Sequence, residues 1–366
     1  MSPFPDFDYA GRIQQIQVLM MERGIDALML SVGADLPYFT GYEAMPLERL
    51  TMLVVPAEGR ATLVVPRLEA PRVEDRGAFV TRPWDETDDP VAIVSGLAGD
   101  AAHIALGDTT WSTFLLGLQA DRPGSSFEDA SPLTRRLRMR KEPEEIRFLG
   151  EAAAATDRVV TRLESVPFAG VSESAMAATV REMTVEEGHD MATLGIIASG
   201  PNSASPHHEP TDRIMQTGDA VVVDFGGRHF GYWSDTTRTF SIGEPSSEVM
   251  DAHSVLETAQ AAARAAVAPG VRASTVDEAA RTVLDDAGFG DRFIHRTGHG
   301  IGLEGHEHPY LVAGNDLLLE RGMVFSIEPG IYTPGRWGLR IEDIVVCGES
   351  GVDELNNSGR HLRIVG

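Results

Sequence analysis

Two stretches, GDAVVVDFGG (218–227) and GMVFSIEPG (322–330), decide how this chain is read. Each opens on a glycine, runs through an apolar strand-like segment and closes on an acid six positions after that glycine, Asp224 in one and Glu328 in the other. An acid inside an apolar strand is unusual, because a buried carboxylate is costly without a proton, a cation or good hydrogen bonds. Each stretch is followed by a second segment with more acid: GYWSDTTRTFSI (231–242) holds Asp235, and GLRIEDIVV (338–346) holds Glu342 and Asp343. The pattern predicts two acid-bearing hairpins related by a pseudo-two-fold axis, which would bring four carboxylates to one place. Two divalent cations would balance four such charges, whereas salt bridges would need basic residues nearby, and only Arg238 and Arg340 lie close on these segments. From the residues alone, a two-metal centre and a set of scattered surface carboxylates stay equally open.

The rest of the chain frames that pair. At 366 residues it suits two domains rather than one core. In the first part an apolar helical pattern from Gln14 to Glu22 stops at Gly24, and strands are expected at 26–31, 51–56, 61–66 and 103–106. This is an α/β unit. Near Arg135 the character changes to a basic cluster (Arg135, Arg136, Arg138, Arg140 and Lys141), read as a solvated joint, and then to an alanine-rich helix that Pro143 and early acids open. The expected layout is an amino-terminal α/β domain over 1–135, a linker helix over 136–165 and a catalytic domain over 166–366.

Composition narrows the chemistry. The formal charge of −24 opposes binding to nucleic acid and to anionic membranes. Cys347 is the single cysteine, so any metal must be held by His, Asp or Glu. No run of about 18 apolar residues suggests a membrane span, and the opening residues lack a secretory pattern, so a cytoplasmic location is the expectation.

The ordered set PHH (206–208), DFGG with GYWSDTTRTF (224–240), TGHGIGLEGHEHP (297–309), SIEPGIY (326–332) and GLRIED (338–343) resembles the pita-bread metallopeptidases of family M24. Within them it is most similar to the Xaa-Pro dipeptidase (prolidase) and Xaa-Pro aminopeptidase branch, which DLPYFTGYE (35–43) and KEPEEI (141–146) also resemble. That resemblance implies an α/β creatinase-like amino-terminal domain and an α+β pita-bread (creatinase/aminopeptidase-like) domain with pseudo-two-fold symmetry. It also implies that Asp224, Asp235, His299, Glu328 and Glu342 are the metal ligands. Asp235 and Glu342 would be shared by both ions, Asp224 would hold one, and His299 with Glu328 the other. An oxygen-rich set with one imidazole suits manganese, cobalt, iron or zinc, and the resemblance favours two manganese ions.

The implied catalytic residues are His207, His306, Glu328 and Arg340. His207 would steady the substrate carbonyl or oxyanion, His306 would hydrogen-bond the substrate, and Glu328 would act as base on the attacking water of a metal-bridging hydroxide mechanism. Arg340 would neutralise a carboxylate of the centre or meet one on the substrate. His208, His295 and His308 are left unassigned, as is Asp35, which stands where some aminopeptidases of the branch reach into a partner's site. The glycines at 298, 300, 302 and 305 are expected to let backbone pass close to the metals. The expected function is hydrolysis of Xaa-Pro bonds in a dipeptide or short peptide, by a homodimer. A dipeptidase is placed slightly ahead of an aminopeptidase, and a non-catalytic pita-bread peptide binder is the distant alternative.

Overall fold

The structure is a computed structural model that describes residues 4–193 and 195–366. These form two compact units, one ending at Arg138 and the other running from Met139 to Gly366.

The first unit contains α1 (Tyr9–Arg23), β1 (Ala27–Leu30), α2 (Asp35–Thr40), β2 (Met52–Pro56), β3 (Ala61–Pro66), β4 (Phe79–Trp84), α3 (Pro90–Leu97), β5 (His103–Leu106), α4 (Ser112–Asp121), β6 (Ser126–Asp129) and α5 (Ser131–Arg138). Helix α1 starts earlier than its apolar pattern because the Asp8 side chain caps it, accepting from Gly11 N at 2.8 Å, and it ends on Gly24 at φ 69°. The strands form one mixed sheet in the order β4-β3-β2-β1-β5-β6. Strands β4 and β6 escaped the sequence reading for a physical reason. They are the sheet's edges, pair on one side only and leave much of their length exposed, so their apolar signal is weak. In the basic segment the expected solvated joint is corrected in part: Arg136 and Arg140 are exposed, but Arg138 and Lys141 are buried. Arg138 pairs with Asp35 at 2.8 Å, and Lys141 with Glu307 at 2.5 Å.

The second unit opens with α6 (Pro143–Leu163), which has proline at its first turn and a capping box between Glu142 and Glu145. It continues through α7 (Glu173–Glu186), β7 (Met191–Ala192), β8 (Ile196–Ser199), β9 (Ala220–His229), β10 (Tyr232–Ile242), α8 (Ser247–Ala265) and α9 (Ala273–Asp286). The remaining strands are β11 (Gly298–Gly300), β12 (Glu307–Leu311), β13 (Val324–Ile327), β14 (Gly330–Thr333), β15 (Trp337–Arg340), β16 (Asp343–Cys347), β17 (Val352–Glu354) and β18 (Arg363–Val365). One sheet runs β18-β10-β9-β7 with β8 also on β9, a second runs β12-β11-β13-β16-β17, and β14 pairs with β15.

Each half of this unit lays a helix pair on its own sheet. Val159, Val160 and Leu163 of α6 and Met176 and Val180 of α7 pack on Val221, Val223 and Phe225 of β9. Leu256 and Ala259 of α8 and Val276, Ala280 and Leu284 of α9 pack on Phe325 and Ile327 of β13. The pseudo-two-fold relation extends into the loops before α7 and α9. Gly170 N donates to Met215 O and Met215 N to Val171 O; in the other half Gly270 N donates to Leu319 O and Leu319 N to Val271 O. Both glycines have φ 83°. The repeat seen in two strands is therefore a repeat of the whole helix-pair-and-hairpin block.

Candidate metal centre

Alternation along β9 sets the site. Val221, Val223 and Phe225 face the helices, which turns Asp224 to the opposite face of the sheet. In the ladder Asp224 stands opposite Thr237 and Gly226 opposite Asp235, so Asp224, Asp235 and Thr237 share that face. The other half departs from a simple hairpin. Strands β13 and β16 pair with Ile327 opposite Asp343, and β14 and β15 pair with Gly330 opposite Arg340, in one continuing register. Glu328 and Glu342 fall in the gap between the two blocks and face each other. Glu342 is bound to the first half instead: its N–H donates to Thr237 O at 3.1 Å, and the Thr237 hydroxyl donates to its Oε2 at 2.7 Å.

The five residues implied by the resemblance come together. Ligand atoms of Asp224, Asp235 and Glu342 lie within 4.8 Å of one another, as do those of His299, Glu328 and Glu342. His299 Nε2 is 3.3 Å from Glu328 Oε1 and 3.8 Å from Asp235 Oδ2. Its Nδ1–H donates to Gly300 O at 3.0 Å, which leaves the Nε2 lone pair turned to the carboxylates. Burial, with His306 beside it, lowers its pKa to about 3, so the ring is a neutral donor at physiological pH. Asp343, the remaining acid of the pattern, belongs elsewhere: it is fully buried and paired with Arg238 at 2.6 Å and Arg360 at 2.5 Å.

Charge at the cluster is under-compensated. Burial, then the neighbouring carboxylates, pushes Asp235 and Glu342 well above the ordinary carboxylate range. Burial also raises Glu328 to about 7, Arg340 pulling it back and Asp224 pushing it further. Arg340 reaches Asp224 Oδ2 at 2.6 Å and spends its other donors on Thr237 Oγ1, Tyr332 OH and Pro206 O. Glu342 Oε1 is buried with no hydrogen-bond partner among the described residues. An orphaned carboxylate oxygen in a nest of four acids and one neutral imidazole is the donor chemistry that divalent cations satisfy, so these residues fit a metal centre.

The other histidines divide by their contacts. His306 stacks on His299 with ring centroids 3.7 Å apart, and Arg296 donates to its Nδ1 at 3.1 Å, so the proton of the neutral ring sits on Nε2. Burial first and Arg296 next hold its pKa down. It also lies within ligand distance of Asp235 and His299. His295, left open by the sequence, is a supporting residue: it bonds Tyr332 OH at 2.9 Å, and that hydroxyl accepts from Arg340 at 2.9 Å. His208 turns to Glu173 at 3.0 Å, and His308 packs on Tyr310. His207 lines a cavity of about 500 Å³ together with Ser174, Arg181 and Ile196. Sequence reasoning gave no role to Thr237, Tyr332 or Glu173. Thr237 was findable, two residues after Asp235 and hence on the same strand face.

Two of the glycines around His299 are required by close backbone packing. A Cβ at Gly298 would sit 1.9 Å from Ser326 O, and one at Gly300 would sit 2.2 Å from His308 O. They make room for neighbouring backbone, while Gly305 faces open space.

Residues 147–349 match metallopeptidase family M24, and residues 12–140 match the creatinase/prolidase N-terminal domain. The chain belongs to metallopeptidase family M24. The probable dipeptidase PepE of Mycobacterium tuberculosis is 46% identical to it over 98% of this chain and 96% of its own length. An Xaa-Pro dipeptidase of Lactobacillus helveticus is 34% identical over 96% of this chain and 98% of its own. The crystal structure of dipeptidase PepE from Mycobacterium ulcerans matches with a TM-score of 0.92 at 47% identity, covering 99% of this chain and 100% of that one. As an M24 member the protein is a metal-dependent peptidase with the two-domain creatinase-like and pita-bread architecture. None of its described helices is long and apolar enough to cross a membrane.

Proposed function

We propose that this M24 protein is an Xaa-Pro dipeptidase that works with two divalent metal ions, manganese in the first instance. The observation that carries the reading is the cluster of Asp224, Asp235, His299, Glu328 and Glu342, whose charge one arginine cannot balance and whose Glu342 Oε1 has no partner among the described residues. The dipeptidase names of relatives that match along almost their whole length support it. Asp224, Asp235, His299, Glu328 and Glu342 would hold the ions. When bound, the ions lower the pKa of water to yield a nucleophile near neutral pH and polarise the scissile carbonyl.

The chain's own groups do the rest. Glu328, whose Oε1 lies 3.3 Å from His299 Nε2 in the cluster, is the group to accept the proton of the attacking water and return it to the leaving proline nitrogen. His306, with its proton on Nε2, donates a hydrogen bond to the substrate, and His207 steadies the oxyanion. Arg340 holds Asp224 and the carbonyl of Pro206, which fixes the backbone beside His207. A homodimer, which rests on the family resemblance, and a cytoplasmic location, which rests on the sequence pattern, are part of the same proposal.

A substrate panel tests it. With manganese added, Ala-Pro should be cleaved, Ala-Pro-Ala much less, and Ala-Ala hardly at all, with about two ions per chain by metal analysis. Equal turnover of Ala-Pro-Ala makes the enzyme an aminopeptidase, and equal turnover of Ala-Ala ends the proline specificity.

A further inference from the structure

Glu173 is the first residue of α7 and is fully buried, yet no part of the proposed chemistry uses it. Its two oxygens face different segments. Oε1 accepts from Ser199 N at 2.8 Å and Ser199 Oγ at 2.7 Å, at the end of β8. Oε2 accepts from His208 Nε2 at 3.0 Å, Thr211 N at 3.1 Å and Thr211 Oγ1 at 2.7 Å. Asn202 Nδ2 lies 3.1 Å from both. One carboxylate thus ties together the two ends of the segment 199–211, and His207 lies within it.

His207 makes no side-chain hydrogen bond of its own among the described residues, so its neighbours set its position. On one side Arg340 holds the Pro206 carbonyl at 3.2 Å, and the same guanidinium holds Asp224 of the metal cluster. On the other side Glu173 holds His208. Burial opposes the charge on Glu173, but the hydrogen bonds from Ser199, His208 and Thr211 together outweigh it and lower its pKa to about 2. An ionised carboxylate can only accept, so His208 must carry its proton on Nε2. The other half of the unit uses the same device. Asp277 of α9, also buried, accepts from Thr297 N at 3.1 Å and Thr297 Oγ1 at 2.7 Å, two residues before His299.

We propose that Glu173 is a positioning residue that sets His207 against the metal cluster, acting through His208 and Thr211. The inference rests on the oxyanion role given to His207 in the proposed function. A purely structural role, satisfying a buried helix start, would lower stability when the knot is cut but leave turnover per folded molecule unchanged.

The test uses full-length, manganese-loaded protein with Ala-Pro as substrate. Glu173→Gln, which keeps the shape and removes the charge, should lower kcat between about 10- and 100-fold, the range expected when a reacting geometry slips by a fraction of an ångström to an ångström. KM and metal content should stay near the wild-type values. Thr211→Val cuts the knot on the His207 side alone and keeps the question answerable if the first variant fails to fold; it should lower kcat in the same direction. Ser199→Ala cuts it at Oε1, on the far side, and should lower Tm without lowering kcat. If Thr211→Val and Ser199→Ala both lose Tm and both keep kcat, the positioning role is overturned. A wild type inert toward Ala-Pro overturns the proposed function and the role of His207 with it, whereas an active wild type with full kcat in Glu173→Gln overturns the positioning role alone.

Discussion

Asp235 shows at the scale of one residue what the site costs the fold. Its carboxylate shares a face with Asp224, meets Glu342 within ligand distance, and has a pKa pushed up by burial, by Asp224 and by Glu328. Without metal, removing its charge should relieve repulsion rather than break a favourable pair. Asp235→Asn is therefore expected to abolish turnover and lower metal content, while raising the Tm of the chelator-treated protein by several degrees, at about 2–4 °C for each kcal/mol in a domain of this size. A fall in metal-free Tm would mean that Asp235 contributes to the fold in a way its surroundings do not show. His306 makes the contrasting case. It stacks on His299 and reaches ligand distance, yet Arg296 donates to its Nδ1. His306→Ala should keep both metals by elemental analysis and lose rate; a variant that loses metal would make His306 a ligand.

Among elements, the glycines of TGHGIGLEG separate into two kinds that the sequence presents as one. Gly298 and Gly300 flank His299 on β11, neither has positive φ, and what they lack room for is a Cβ against the carbonyls of Ser326 and His308. Gly298→Ala should cost about 3 kcal/mol or more, because the obstacle is backbone of the next strand and cannot swing aside. Gly305→Ala should stay within about 0.5 kcal/mol, which urea titration of the two variants side by side would resolve. Much of this architecture was legible in the sequence. The acids of 218–242 and 322–343 announced a repeated block, and the apolar periodicity on either side of them gave the core strands. What was not legible depends on long-range register. Nothing in GLRIED says that Glu342 will leave its own hairpin to bond Thr237, or that Asp343 will turn to Arg238 and Arg360. The basic cluster misled for a related reason: Arg138 and Lys141 are buried by acids 103 and 166 positions away in the chain.

Across the whole molecule, buried histidines and the acid cluster act on stability in opposite directions as pH changes. Glu328 binds its proton more tightly folded than unfolded, so its contribution favours the metal-free fold at low pH and is lost as pH rises toward about 7. His253 does the reverse. It is buried on α8, its Nε2 has no hydrogen-bond partner among the described residues, and burial, with His361 and Arg363 adding, lowers its pKa to about 4. The unfolded chain then binds the proton more readily between about 6.5 and 4. Its contribution is fully present above about 6.5 and is lost as pH falls through about 4, a span worth on the order of 3 kcal/mol. Because other groups titrate over the same range, the wild-type curve alone cannot isolate it, but the difference from His253→Leu can. In chelator, so that metal release does not enter, the unfolding free energy of the wild type minus that of the variant should fall by on the order of 3 kcal/mol between pH 7.5 and pH 4. A difference that stays constant over that range would show that His253 accepts a proton without opening the fold.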